Sequence, residues 1–231
     1  VAVLEREDPR DCLISRDGKK VMDLPEGARI GTSSVRRIAE LKRIRPDVNP
    51  VNVRGNVETR LRKLNDGEYD GLVMALAGLK RLDLDKNITQ ILDTNFFMPA
   101  CGQGIIGIEA REGDSEILEL CASINHVETE IQADAERMFL SCLGAGCQVP
   151  SGVLSEISGN QIIIRAVVLS PDGTEEIHAM KRGDVERALE IARHLETCAE
   201  CARRAASPAE VVRFARGLSA VLASAEDETL H

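Results

Sequence analysis

Residues Ala28 to Arg45 read ARIGTSSVRRIAELKRIR, and this stretch decides the fold class. Ala28 to Gly31 is a short apolar strand ending in glycine. Val35, Ile38, Leu41 and Ile44 then recur every three residues with charges between them, which lays one apolar stripe along a helix. Thr32, Ser33 or Ser34 can cap its N-terminus, and Pro46 lies just past its end. The same pattern returns downstream. A strand over Pro50 to Val53 runs through Arg54-Gly55-Asn56 into a helix carrying Val57, Leu61 and Leu64, which Asp66-Gly67 closes. A strand over Tyr69 to Ala75 (YDGLVMA) leads into AGLKRLDL, the opening of another helix. Strand and helix alternate, so the spacing predicts an α/β unit with a mixed, mostly parallel sheet.

The texture changes near Pro99. ACGQGIIGIEAR is a glycine-rich turn followed by a short strand. Val127 to Cys142 has helical periodicity through Ile131, Ala135, Met138 and Cys142, and ends in the loop LGAGCQVPSG. Three strand-like runs follow, Val153 to Ile157, Gln161 to Leu169 and Glu175 to Met180, with turns at Asn160 and Pro171-Asp172-Gly173. A helix is expected over Val185 to Thr197, and a last amphipathic helix through Val211, Phe214, Leu218 and Val221. The second unit is therefore a small α+β domain with a three-stranded antiparallel sheet.

Composition narrows the function. The 231 residues allow one or two compact units, and 43% hydrophobic with 29% charged residues is ordinary globular composition. The 29 basic and 38 acidic residues give a net charge of −9, a poor balance for a binder of nucleic acid or anionic membrane. One Tyr, four Phe and no Trp leave no stacking platform for single-stranded nucleic acid. The longest apolar run, Gly71 to Leu79, is too short to span a bilayer. The opening VAVLEREDPRD turns charged too early for a secretory signal. Seven cysteines, odd in number and unevenly spaced, suit free thiols in a reducing compartment, so a cytoplasmic location is expected. The chain opens on Val in a strand-like run, which fits a processed product or a fragment.

Four constellations could carry chemistry. The first is a basic island: Arg36 to Lys63 holds nine Lys or Arg and three acids, Glu40, Asp47 and Glu58. In an open parallel sheet, strand C-termini and helix N-termini face one crevice. Arg36 and Arg37 in a first helical turn, Arg54 at a strand end, Arg60 and Arg62 in the next helix and Arg81 after the third strand would converge there. Cations are disfavoured at a helix N-terminus unless an anion is shared, and guanidinium forks match carboxylates. A multi-carboxylate or phosphate ligand is the physical reading. Arg43, Arg45 and Lys63 read as solvated surface groups, while for Arg36, Arg37, Arg54 and Arg60 both readings stay open.

The second constellation is Cys147 in GAGCQVP, a thiol on a glycine-flanked loop that is nucleophilic once deprotonated or else an incidental cysteine. The third, Cys198-Ala-Glu-Cys201, has no second CxxC and reads as two helix-end cysteines. The scattered His126, His178, His194 and His231 show no ligand spacing, so no metal site is expected. The fourth, Ala100 to Gly104 (ACGQG), lacks the ending of a phosphate loop and reads as a hinge or backbone-contact turn.

These pieces in this order resemble the porphobilinogen deaminase (hydroxymethylbilane synthase) family. The matching stretches are EREDPRD, GTSSVRR, RGNVETRL, LNDGEYDGLVMALAGLKRL, PACGQGIIGIE and GAGCQVP. The resemblance covers nearly the whole chain from Glu5 to about His194. It implies a transferase of porphyrin and heme biosynthesis that condenses four porphobilinogen molecules head to tail into hydroxymethylbilane, releasing ammonia. It also implies a dipyrromethane cofactor held covalently by a thioether at Cys147. By the same match Thr32, Ser33, Ser34, Arg36, Arg37, Arg60, Ala75 and Gly78 contact the cofactor. Arg54, Arg60, Arg81 and Gln103 contact porphobilinogen and the oligopyrrole intermediates. Each porphobilinogen unit brings an acetate and a propionate, which accounts for concentrated arginine in an acidic protein. A thiolate can capture the electron-poor azafulvene left when porphobilinogen loses ammonia. A carboxylate near the pyrrole N–H must then stabilise the developing positive charge. In the family that aspartate lies before the EREDPRD segment, and no acid in this sequence matches it. No catalytic residue is therefore assigned, and this chain alone is expected to be inactive.

The family fold has three domains, the first two resembling periplasmic binding proteins. Residues 10–99 would form the second, carboxylate-binding domain and 123–205 the third, cysteine-bearing one. Residues 1–9 and 100–122 would be remnants of the first, and 206–231 a C-terminal tail; beyond Cys198 the sequence matches nothing in the family. The strand IIGIE would lack sheet partners and expose Ile105, Ile106 and Ile108, giving weak stability or association. The full-length family member is expected to be a monomer that binds neither nucleic acid nor membrane. The alternative reading is a non-catalytic fragment that binds carboxylates or tetrapyrroles.

Overall fold

The computed structural model describes residues 1–143 and 149–186. In chain order the elements are β1 (Ala2–Val3), β2 (Asp11–Ser15), β3 (Arg29–Gly31), α1 (Val35–Ile44), β4 (Asn49–Val51), α2 (Val57–Asn65), β5 (Gly71–Ala75), α3 (Leu76–Lys80) and β6 (Gln90–Ile91). Then come β7 (Gly107–Ile108), α4 (Ser115–Ser123), α5 (Val127–Leu143), β8 (Ser151–Ser158), β9 (Gln161–Leu169) and β10 (Glu176–Asp184).

The first unit is a five-stranded sheet in the order β4-β3-β5-β2-β6. β3 pairs parallel with β4 and β5, while β2 pairs antiparallel with β5 and β6. Side chains alternate across it. Leu13, Ile30 and Val73 join one buried cluster with Leu41 of α1, Val21, Leu24, Leu92 and Phe97. Cys12, Ile14, Leu72 and Met74 join the other, with Leu64 of α2 and Leu76 and Leu79 of α3. Both faces are covered, which is why β2 and β5 read as continuous apolar runs rather than alternating ones. Burying a side chain such as Leu13 or Leu72 contributes about 1.5–3 kcal/mol, and both are 0% exposed.

The second unit is the three-stranded antiparallel sheet β10-β9-β8, backed by α5. It is pressed against the first unit through Ala39, Met98, Leu154, Val167 and Leu169. Two glycines permit that contact. A Cβ on Gly173 would lie 2.5 Å from the Ala39 carbonyl oxygen, and one on Gly152 would lie 2.7 Å from Met98 Cβ. The expected helix from Val185 is described only to Glu186. The rest of it, the tail helix, Cys147, Cys198 and Cys201 lie outside the described residues.

Beside α5 runs a two-stranded ribbon, β1 with β7, in which Ala2 faces Ile108 and Val3 faces Gly107. The strand expected to lack partners therefore has one, because the first residues of the chain reach it. Ile106 is exposed, while Ile105 and Ile108 are half-buried. Exposed apolar side chains also run along α4, at Ile117 and Leu120. That helix was not expected from the sequence, yet it has an N-cap, Asp114, whose side chain accepts from the Ile117 N–H. Among the described residues no helix is long and apolar enough to cross a membrane.

Candidate functional site

β3, β4 and β5 run the same way, so Gly31, Val51 and Ala75 end at one edge of the sheet. β2 runs against them, and its first residue, Asp11, lies opposite Ala75 at that edge. Helix α1 starts there, capped by Ser34, whose hydroxyl accepts the Arg37 N–H at 3.4 Å. The Thr32 hydroxyl accepts the Ser34 N–H at 3.3 Å, and Ser33 Oγ donates to the Val53 carbonyl. Helix α2 starts beside it, capped by Asn56.

Two arginines in the first turn of α1 oppose the helix dipole, and that turn holds no acid. The chain supplies the anion from β2. Arg36 Nη1 donates to Asp11 Oδ2 at 2.7 Å, and Arg37 donates to Oδ1 through Nε at 3.0 Å and Nη2 at 2.7 Å. Gln103 of the ACGQG turn closes the ring. Its Nε2 donates to Asp11 Oδ1 at 3.0 Å and to the Pro9 carbonyl at 2.6 Å, and its Oε1 accepts from Arg36 at 3.3 Å. Arg36 also donates to the Met98 carbonyl at 2.6 Å and lies 5.9 Å from the centre of the Phe97 ring. Burial alone would raise the Asp11 carboxyl, but the Arg36 and Arg37 guanidiniums outweigh it and hold it below its ordinary range. Two cations face one carboxylate, so the ring carries one surplus positive charge. The Nε of Arg36 is buried without a partner among the described residues.

The other expected residues make no side-chain hydrogen bond or ion pair to this ring among the described residues. Arg60 Nε donates to the Gly55 carbonyl at 2.8 Å. Arg54 and Arg81 are exposed, Arg60 is half-buried, and none of the three makes an ion pair within the described residues. Ala75 is half-buried at the end of β5, and a Cβ on Gly78 in α3 would meet open space. The structure thus joins Ser34, Arg36, Arg37 and Gln103 in one network, and leaves Arg54, Arg60 and Arg81 outside it.

Two cations expected to be solvated are not. Arg43 pairs with Glu40 at 2.9 Å and Glu176 at 3.3 Å, and donates to the Phe96 carbonyl. Arg45 donates to the Val21 and Leu24 carbonyls and pairs with Asp47 at 2.5 Å. Both fasten chain segments that their spacing in the helix could not reveal.

Sequence reasoning also missed a second buried ionic cluster. Glu136 of α5, fully buried, accepts both ends of the Arg6 guanidinium at 2.6 and 3.2 Å. It also accepts the Gly102 N–H at 2.7 Å and, from Ser155, the N–H and hydroxyl at 2.8 Å each. The ACGQG turn is therefore pinned twice, to Asp11 through Gln103 and to α5 through Gly102. Two nearby thiols are suppressed as nucleophiles. Burial, with Asp11 adding to it, pushes the Cys12 thiol up to about 12; burial, with Glu136 adding to it, pushes Cys101 up to about 11. No cluster of His, Cys, Asp or Glu among the described residues could hold a metal.

Comparison with known proteins agrees with this architecture. Residues 1–119 match the family profile described as porphobilinogen deaminase, dipyromethane cofactor binding domain, and residues 131–200 match that of the porphobilinogen deaminase C-terminal domain. The chain is 47% identical to the porphobilinogen deaminase of Syntrophomonas wolfei over 194 residues, 84% of this chain and 63% of that protein. It is 47% identical to that of Roseiflexus sp. over 178 residues, 77% of this chain and 58% of the relative. For Desulforamulus reducens the figures are 45% over 190 residues, 82% and 62%. The chain thus spans about three-fifths of the length of these curated relatives. With the fold, two family profiles and several curated relatives in agreement, the chain belongs to the porphobilinogen deaminase family.

Proposed function

We propose that the protein acts as a porphobilinogen deaminase, a cytoplasmic transferase that condenses four porphobilinogen molecules into hydroxymethylbilane with release of ammonia. The observation that carries this reading is the surplus positive charge of the Asp11, Arg36, Arg37 ring, at the sheet edge where the strands leading to Arg54, Arg60 and Arg81 also end. Acetate and propionate groups match guanidinium forks, and an incoming carboxylate there meets cations already held in place. The residues present suit a dipyrromethane: unpaired guanidiniums within the described residues, and a buried Arg36 Nε still lacking an acceptor. When bound, that group supplies the pyrrole carbon at which the chain grows. Cys147 would hold it through a thioether. Thr32, Ser33, Ser34, Arg36, Arg37, Arg60, Ala75 and Gly78 would contact it, and Arg54, Arg60, Arg81 and Gln103 would orient porphobilinogen and the oligopyrrole chain. A net charge of −9 argues against a nucleic-acid or membrane partner, and we take the whole enzyme to be a monomer.

One observation favours binding without turnover for this chain alone. The acid at the mouth, Asp11, is fully committed as a counter-ion, so it cannot serve as the carboxylate that stabilises the reacting pyrrole. The test is intact-mass analysis of the chain produced together with the enzymes that make porphobilinogen. A covalent adduct of two pyrrole units, absent in Cys147→Ala, supports the reading. Product formation by a chain whose Cys147 is unmodified overturns it. Arg36→Ala and Arg60→Ala are expected to lose ligand binding.

A further inference from the structure

We propose that Asp11 is a built-in carboxylate occupying half of the Arg36–Arg37 anion site, so that this end of the sheet takes one ligand carboxylate at a time, with Arg37 presenting the charge. Only the identity of the natural ligand rests on the function proposed above. The two guanidiniums are not equivalent. The Arg36 side chain is 4% exposed, and its Nη1 is shared between Asp11 and the Met98 carbonyl. The Arg37 side chain is 14% exposed, and its Nη1 reaches only the Val73 carbonyl, at the limiting distance of 3.5 Å. Arg37 therefore has hydrogen-bonding capacity left, on the more open side of the ring.

Asp11 is turned wholly toward the chain's own donors. Oδ1 accepts from Arg37 twice and from Gln103 once, and Oδ2 accepts from Arg36. It is 0% exposed and held in the strand by its pairing with Ala75. Without it, two cations would repel each other at the positive end of α1. With it, they are oriented before a ligand arrives, and the local charge falls from two to one. A singly charged contact holds a ligand carboxylate less tightly than the bare pair of guanidiniums would.

The test titrates the whole chain with succinate, and separately with porphobilinogen, at low and high salt. Asp11→Asn keeps the side-chain shape and removes the charge. We expect it to bind succinate about tenfold more tightly at low salt, with a steeper loss of affinity as salt is added. Weaker or unchanged succinate binding in Asp11→Asn overturns the proposal, as does a wild-type chain that does not bind succinate. If Asp11→Asn fails to fold, Arg37→Gln decides. It is expected to lose about tenfold in succinate affinity with a shallower salt dependence, and an unchanged affinity overturns the proposal. Succinate binding that follows these expectations, with no binding of porphobilinogen, supports the proposal and overturns only the function.

Discussion

Replacing Glu136 with alanine should show how strongly the ACGQG turn depends on buried charge. The Glu136 side chain is 0% exposed and its partner Arg6 is 8% exposed. Removing one member of such a pair leaves the other charge buried without compensation, at a cost of about 3–5 kcal/mol. The N–H groups of Gly102 and Ser155 lose their acceptor as well. Those losses overlap with the first, because a shift or a water that relieves one relieves the others, so the pair figure stands as the expectation. In a chain of this size each kcal/mol moves the melting temperature by about 2–4 °C. Alanine should therefore lower it by about 6–20 °C, read by far-ultraviolet circular dichroism on heating and checked by urea unfolding. Glu136→Gln keeps the shape and one acceptor and should fall between wild type and alanine. A melting temperature for Glu136→Ala within about 2 °C of wild type would refute the reasoning, since the cluster would then not be buried or not be charged.

Gly173→Ala should destabilise the contact between the two units by about 2–4 kcal/mol. Its φ is +73°, and the new Cβ would meet the Ala39 oxygen at 2.5 Å and the Arg43 nitrogen at 2.7 Å, backbone atoms that cannot turn aside; urea unfolding with no change from wild type would contradict this. Ser34→Ala removes the cap of α1 and should cost about 0.5–2 kcal/mol in the same assay. Asp11 contributes to acid sensitivity in a definite direction. Its folded carboxyl titrates below the ordinary value of 3.8, so its contribution is complete above that pH and is lost as pH falls through the folded value. The difference in melting temperature between wild type and Asp11→Asn should therefore shrink as pH drops below 3.8, and a constant difference would count against the ion pair.

The strands and helices of the α/β unit were legible because their signals are local. The repeat of Val35, Ile38, Leu41 and Ile44, a cap among Thr32, Ser33 and Ser34 and the Asp66-Gly67 ending each lie within one element, and the observed α1 and α2 follow them, with Ser34 as the cap. Helix α4 carried a comparable signal in Asp114 followed by Leu118 and Cys121, but at nine residues it is too short for an apolar stripe to stand out. β2 was harder. Asp11-Cys12-Leu13-Ile14-Ser15 is too short for periodicity to speak, and its antiparallel placement depends on β5, about sixty residues away. The Arg36 and Arg37 anomaly at a helix N-terminus pointed to a ligand anion, whereas the anion the structure shows there is Asp11 of the chain itself. That intramolecular source could not be read, because reading it requires knowing which strand edge lies beside α1.

The same distance dependence explains why the buried charges were missed as a group. Asp11 with Arg36, Glu40 with Arg43 and Glu136 with Arg6 mostly join segments that are far apart in the chain, and only Glu40 with Arg43 has helical spacing. A sequence presents such residues as ordinary charges, and only the fold makes them interior. Buried pairs of this kind contribute little net stability compared with an apolar core, but they penalise any arrangement that separates them. The contact between the two units has only a small apolar cluster, so its exact seating is dictated by charge and by the two glycines. The turn at 100–104 is where this matters most. Gly102 is tied to α5, the helix that precedes Cys147 in the sequence, and Gln103 is tied to the arginines at the sheet edge. A displacement of that turn by a single hydrogen-bond length would disturb both networks at once. The arginines at the sheet edge and the second unit are thus joined through four polar side chains, the buried Asp11 and Glu136 and the half-buried Arg6 and Gln103, and not through the hydrophobic core that made the fold readable.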